Sequence, residues 1–272
     1  MNPILLAAVA LVVAFGGFIQ YFRTIPRNKV PENPIALKLF SVLGILIALK
    51  ALHLVIPGSI GSVIAVIVLS FFPIFLGSFI LWVLTQRKTP IGDIKVKVGD
   101  TLLPFTSITS DGAVFNSEEL RGKRTLLKFY RGGWCPYCCA ELVLFKDMSS
   151  DLSQYKVNVV ALSNDTAEEA HTHKDRDGLN FTMLADPELT VIRQYGVEHH
   201  KALGGHTKDV AFSIGGIPFS TKLGFKSMSI PTSLLVDENG VIQWVDQSED
   251  YRLRASKEAV MGAVKAAFGV SN

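Results

Sequence analysis

The chain has 272 residues, enough for one large or two small domains, with 49% hydrophobic and 19% charged side chains and a formal net charge of +3. Residues 1–90 hold seven of the 27 Lys and Arg but one of the 24 Asp and Glu, so this segment carries +6 and the remainder −3. A mildly acidic remainder excludes the broad basic surface of a nucleic-acid binder. Three cysteines within five residues (Cys135, Cys138, Cys139) exclude a disulfide-stapled secreted scaffold.

In chain order, three apolar runs come first: residues 3–22, 35–56 and 60–84. Each is long enough to cross a bilayer, which takes about 20 residues of helix. Ile56-Pro57-Gly58-Ser59 leaves room only for a tight turn, so the second and third runs should form a helical hairpin. A cleaved signal peptide is not expected, because Met1-Asn2-Pro3 lacks a positive residue and no small-x-small site follows. Arg23, Arg27 and Lys29 follow the first span, with Lys38 just inside the second, and Arg87, Lys88, Lys95 and Lys97 follow the third. The N-terminus and the residue 57–59 turn have neither Lys nor Arg. With three spans both basic flanks fall on one side, which the positive-inside rule assigns to the cytoplasm. The expectation is an integral protein of a bacterial inner membrane, with residues 1–88 as anchor and 89–272 as a cytoplasmic domain.

Beyond a linker at Thr89–Asp93, the pattern predicts a short strand at Lys95–Val98 and a hairpin around Asp111-Gly112. A helical turn follows at Ser117–Leu120, then a strand at Thr125–Tyr130 and a helix at Pro136–Ser150. Val157–Leu162 and Phe181–Leu184 read as strands, each followed by a helix: Ala167–Arg176, and Asp186-Pro187 to Tyr195. Leu234–Val236 and Val241–Val245 flank the turn Asp237-Glu238-Asn239-Gly240, and the last helix covers Ser256–Phe268. These alternations describe an α/β fold, a mixed sheet with helices on both faces. Residues 197–229 break the rhythm and read as a long surface excursion containing a hairpin, with a lid over the cysteines or a surface leaning on the membrane as the sharper alternatives.

The chemistry lies in Trp134-Cys135-Pro136-Tyr137-Cys138. Cys135 falls at a helix N-cap and Pro136 at the first helical position, where its missing N–H costs nothing. Free N–H groups and the helix dipole would favour a Cys135 thiolate, with a second thiol one turn away. Trp134 should pack beside the cysteines. His171, His173, His199, His200 and His206 read as solvated rather than as a metal site, and Asp246, Glu249, Asp250, Arg252 and Arg254 as an exposed charged face whose arginines border the site rim.

Val98-Gly99-Asp100, Pro104-Phe105, Asp111-Gly112, Leu120–Lys123, Phe129 to Cys138, Ile230-Pro231-Thr232 and Val236–Gly240 together carry a resemblance. Over residues 96–268 the chain resembles a peroxiredoxin-like protein of the alkyl hydroperoxide reductase/thiol-specific antioxidant (AhpC/TSA) group. The resemblance implies a thioredoxin-like fold, here preceded by the three apolar runs read as transmembrane helices, and a redox enzyme acting on peroxides or disulfides. It also implies that Pro231 is a cis-proline facing the cysteines, with Ile230 and Thr232 beside bound substrate. Counted from Cys135, the proline and Thr/Ser positions of peroxiredoxins hold Lys128 and Gly132, and Pro231 stands in place of their later arginine. The buried Asp of thioredoxins is Phe129 here, and Arg131 is the local positive charge that could substitute.

The expected cycle has Cys135 attack, Cys138 resolve and an external thiol reductant regenerate the dithiol, with Cys139 as a competitor for the second role. Trp134, Pro136, Arg131, Ile230, Pro231 and Thr232 are the expected substrate-binding residues. No cofactor, metal or nucleic acid is expected; the partners are a peroxide or disulfide, the reductant and the lipid bilayer. A non-catalytic redox sensor and a metal-carrying module of the three cysteines are the competing classes.

Overall fold

The computed structural model describes residues 2–55 and 59–269, and the chain divides into two compact units at residues 87 and 88. The first holds helices α1 (Pro3–Phe22), α2 (Ile35–Val55) and α3 (Ile60–Thr85), each long and apolar enough to cross a membrane. Asn2 caps α1 by accepting from the Ile4 N–H, and Ser59 caps α3. Small residues line the helix contacts, where Ala7, Ala10, Ala14, Ala48 and Ala51 are buried. A Cβ on Gly17 would lie 2.4 Å from the Phe40 Cβ, so the α1–α2 crossing depends on that glycine. Close backbone approach at small residues is how helices associate where lipid removes any hydrophobic drive between them. Lys38 turns back to Asn33 at 3.0 Å, keeping its charge at the start of α2. Apart from Ser59, the turn predicted at Ile56–Ser59 lies outside the described residues.

In the second unit, β1 (Thr106–Thr109) and β2 (Val114–Asn116) form the predicted hairpin, followed by a 3-10 turn at Ser117–Leu120. Next come β3 (Arg124–Phe129), α4 (Pro136–Asp147), α5 (Ser149–Gln154), β4 (Val157–Ser163), α6 (Ala167–Asp177), β5 (Thr182–Ala185) and α7 (Thr190–Gln194). The excursion supplies β6 (Glu198–Gly204), β7 (Val210–Ile214), β8 (Ile217–Ser220) and β9 (Gly224–Ser229). The chain then closes with β10 (Thr232–Val236), β11 (Ile242–Gln247) and α8 (Lys257–Phe268).

Seven strands make one sheet in the order β11-β10-β3-β4-β5-β1-β2, parallel at β3-β4-β5 and antiparallel elsewhere. This is the mixed thioredoxin-like arrangement expected. Period-2 alternation sorts its side chains: Leu126 and Ala161 face a core shared with α4, α5, α6 and α8. Leu127, Phe129, Val160 and Leu162 face the opposite core, closed by α7, the 3-10 turn and extended residues around Val96 and Leu103.

Three local expectations are corrected. Lys95–Val98 is not a strand; the Lys95 N–H bonds the Tyr195 carbonyl, which ties this segment to the α7 side of the domain. The helix from Pro136 ends at Asp147, because Met148 takes φ −86° and ψ 0° and the chain restarts as α5. The helix after Asp186 shortens to five residues, because Leu189 adopts a left-handed φ of 60° immediately before it.

Candidate active site

β3 delivers the chain to Tyr130–Trp134, and α4 begins at Pro136 with Cys135 at its N-cap, as the sequence predicts. The connecting loop has no spare room. Gly132 takes φ +128°, and a Cβ there would sit 2.8 Å from the Trp134 ring. A Cβ on Gly133 would lie 2.6 Å from the His173 ring, while its N–H bonds Asp165 at 2.9 Å. The Trp134 indole donates to the Arg131 carbonyl at 3.1 Å, and Trp134 shares a buried cluster with Cys135 and Cys138.

All three cysteines are free and buried. The Cys138 sulfur accepts from Arg254 Nη2 at 3.2 Å, from the Arg131 N–H at 3.5 Å, and from the Cys135 thiol. Burial by itself would raise the Cys138 pKa, but these donors outweigh it and bring it down to about 5. Cys135 moves the other way, pushed up by burial and then by its bond to Cys138, with Arg131 and Arg254 opposing. The Cys135 side chain makes no capping bond to α4. Cys139 donates to the Gly133 carbonyl at 3.4 Å, and burial pushes its pKa up despite Arg176 at 3.2 Å.

Charges crowd beneath Cys138. Lys128 and Arg254 flank the fully buried Glu141 at 2.7 and 2.6 Å, and Lys128 also donates to Ser233 at 3.0 Å. Arg131 is likewise buried. Its guanidinium donates to the Leu203 carbonyl at 2.6 Å and the Met228 sulfur at 3.0 Å, and its carbon lies 4.0 Å from the Tyr251 ring centre. Leu203 and Met228 belong to β6 and β9, so the excursion packs over the cysteine loop. Arg254 is therefore no part of an exposed face, and its neighbour Arg252 is buried against Asp250 at 2.6 Å. The signal missed in sequence was the apolar company of these arginines: Tyr251 and Leu253 alternate with them.

His173 is also not solvated. It is fully buried, with Nε2 3.1 Å from Asp177, while Arg176 bridges Asp177 at 2.7 Å and the Gly133 carbonyl at 2.8 Å. Cys139, His173 and Asp177 could in geometry share a metal ion, but the Arg176 guanidinium already occupies the negative side of that cluster. His171, His200 and His206 are exposed, and burial of His199 on β6 pulls its pKa down to about 4.

The corner at residues 230–232 stands beside the start of the cysteine loop, since Thr232 pairs with Phe129. The expected cis bond before Pro231 is corrected: among the described residues no peptide bond is cis. The Ile230 N–H reaches the Val197 carbonyl at 2.7 Å and Thr232 enters β10 directly, so the trans form, favoured by about 0.5–1 kcal/mol, closes the corner. The Ile230 side chain lies in the core on the sheet face away from the thiols, and the Thr232 hydroxyl donates to the Ile230 carbonyl and accepts from Gln247.

Comparison with known proteins gives this arrangement its context. The AhpC/TSA family pattern matches residues 98–245. A bcp-type peroxiredoxin from Coxiella burnetii is 31% identical over 153 residues, covering 56% of this chain and 89% of its own. Peroxiredoxin Bcp of Escherichia coli K12 is 26% identical, covering 62% and 96%. Among solved structures, peroxidoxin BcpB from Mycobacterium tuberculosis superposes with a TM-score of 0.48 at 18% identity, covering 65% of this chain and 99% of that one. With the family pattern spanning more than half of its length, the chain belongs to the AhpC/TSA family and is a peroxiredoxin-like thiol-dependent oxidoreductase.

Proposed function

We propose that the protein is a membrane-anchored oxidoreductase that reduces hydroperoxides through a Cys135–Cys138 dithiol/disulfide cycle, regenerated by an external thiol reductant. The observation that carries this reading is the Cys138 sulfur, held by two protein donors and by the Cys135 thiol one helical turn away. A thiolate so held attacks an electrophilic oxygen, and a second thiol in contact converts the sulfenic acid into a disulfide before further oxidation. Trp134 and Pro136 would form the walls through which a substrate enters, with Pro231 and Thr232 at the neighbouring corner. Arg131 and Arg254 supply the positive charge that stabilises a leaving oxygen, the part that Pro231 cannot play. Protein disulfides are the second substrate class, favoured by the two-residue spacing of the thiols on one helix.

The bilayer anchor is α1–α3, and the basic flanks assign the redox domain to the cytoplasmic side. The test uses the full chain purified in detergent, given either a hydroperoxide or a protein disulfide together with a dithiol donor. Turnover of the hydroperoxide, lost in both Cys135→Ser and Cys138→Ser, is the expected result. Turnover of the disulfide alone moves the protein to the second class. Equal rates in the wild type and both variants refute catalysis by these thiols and leave a sensor.

A further inference from the structure

We infer that the β7–β8 hairpin is a lipid-docking element: its apolar outer strand enters the headgroup layer of an anionic bilayer, and the lysines around it meet the phosphates. The inference rests on the membrane anchor proposed above and adds a second contact with lipid, made by the redox domain itself.

The hairpin exposes what a protein in water normally hides. Phe212 and Ile214 of β7 are 56% and 64% exposed, and Leu223 and Phe225 follow at 49% and 59%. Among the described residues these four are half of the large apolar side chains that the second unit exposes, gathered within one short stretch of chain. The inner strand differs: Ile217 and Pro218 of β8 are buried, and β8 lies against α4. Phe212 stacks on Phe219 with ring centres 5.1 Å apart, so the outward ring is held in place. Among the described residues β7 pairs with β8 alone, which leaves its outer edge open as well. An open apolar edge strand is an aggregation hazard in water unless something covers it.

Charge and covalent reach identify the cover. Residues 197–229 hold four lysines against two acids, a net +2 within a stretch, residues 91–272, that carries −3 overall. Both acids are already engaged, Glu198 by Arg193 at 3.0 Å and Asp209 by Lys222 at 3.6 Å. Lys201, Lys208 and Lys222 are exposed. Apolar rings among lysines complement acyl chains beneath anionic headgroups, with each lysine stem along the apolar layer and its ammonium at the phosphates. The bilayer is also close by along the chain. α3 ends at Thr85 and Lys88 already pairs with Asp250, so at most about 11 Å of extended backbone separates Thr85 from Lys88. Asp250 precedes Tyr251, whose ring centre lies 4.0 Å from the Arg131 guanidinium carbon, and Arg131 in turn donates to the Leu203 carbonyl of β6 at 2.6 Å. The start of the domain and the root of the excursion are therefore joined through one side chain. A tether this short holds the hairpin at high effective concentration beside lipid, so a contact too weak for a free protein suffices.

The test places a reporter on the hairpin of the full chain, reconstituted into vesicles whose acyl chains are brominated to quench tryptophan. Phe212→Trp carries the reporter, and Val114→Trp, equally exposed on β2 at the far edge of the seven-stranded sheet, is the control. Each is read as the difference from the wild type, which contributes Trp82, Trp134 and Trp244. In phosphatidylglycerol vesicles the Phe212→Trp reporter should be quenched several-fold more than the Val114→Trp reporter. Phosphatidylcholine vesicles, or Lys201→Glu with Lys208→Glu, should remove most of that difference. Amide hydrogen exchange over residues 210–220 of the wild type should slow in the anionic vesicles and not in the zwitterionic ones, which checks the result without the reporter. Equal quenching of the two reporters overturns the inference. Quenching indifferent to lipid charge and to the glutamates overturns it too, because the lysines then have no part. A Phe212→Trp emission that shifts to the blue with protein concentration in detergent, and escapes quenching in vesicles, assigns the patch to a second copy of the chain instead. Release of the chain from vesicles by alkaline carbonate would refute the anchor, and quenching of Phe212→Trp before that release would leave the docking surface standing.

Discussion

Gly133 is the point where α6 meets the cysteine loop, and it shows how tightly the thiols are held. A side chain there would strike His173 at its Cβ and ring, both buried, rather than the end of a flexible chain. Gly133→Ala should lower stability by about 1–3 kcal/mol, seen as a fall in Tm, and should reduce turnover because the loop carries the Arg131 N–H. Cys139→Ser should behave differently. The hydroxyl can still donate to the Gly133 carbonyl, so turnover should persist with a stability loss of about 1 kcal/mol, and loss of turnover would give Cys139 the resolving role. For Cys138 the pH dependence follows from its low value. Its alkylation rate should be flat above about pH 6 and fall as protonation sets in near pH 5. Its folded value lies below the unfolded one, so its contribution to stability is complete above the unfolded pKa and is lost as pH falls through about 5. At this scale the motif was readable from spacing: Cys135 at the N-cap and Pro136 behind it follow from local rules. The arginine at the thiols was not readable, because Arg254 stands 116 residues from Cys138 in sequence and reaches it only through the fold.

The helix α6 links the local chemistry to the rest of the domain. Its capping box is complete: Thr166 Oγ1 accepts from the Glu169 N–H at 3.2 Å, and Glu169 accepts from the Thr166 N–H at 3.0 Å. Glu169 also receives the Lys208 N–H at 3.3 Å, so one side chain serves both the helix and the excursion. Thr166→Ala should cost about 1 kcal/mol and, since α6 carries His173 and Arg176 against Gly133, should broaden the alkylation profile of Cys139. The spans of α6 and α8 and the strands β3, β4 and β10 were legible, because periodicity is local. The excursion was legible as an irregularity holding a hairpin, but not in its pairing over the cysteine loop. β6 pairs with β9 across the whole β7–β8 hairpin, which turns at Gly215-Gly216, and the excursion covers the cysteine loop through Leu203, Gly204 and Met228. Gly204 has an ordinary backbone; its lack of a side chain lets the Trp134 ring and the Met228 methyl pack against it, a reason invisible until both are in place.

For the whole molecule, the two units differ in where their apolar surface lies. In α1–α3 the buried face is small and the outward face is large and apolar, with Leu5, Val12, Leu39, Leu46, Phe71 and Phe75 exposed. That inversion suits lipid and would be an aggregation hazard in water. The basic residues flank the same helices unevenly: Arg23, Arg27 and Lys29 follow α1, and Arg87 and Lys88 follow α3. On the proposed topology both basic flanks share the cytoplasmic face, and the redox domain follows the second of them. The cytoplasm keeps thiols reduced, so a disulfide that is easily reduced would be reset there after each turnover rather than persisting. On that placement the resting state is the dithiol. Protease added to inverted membrane vesicles should cleave the domain while right-side-out vesicles protect it. In intact cells Cys135 and Cys138 should be alkylated as free thiols until a hydroperoxide is added. Cleavage in right-side-out vesicles would place the thiols on the oxidising side, where the same cation-rich site would make the protein a donor of disulfides instead of a consumer of peroxide.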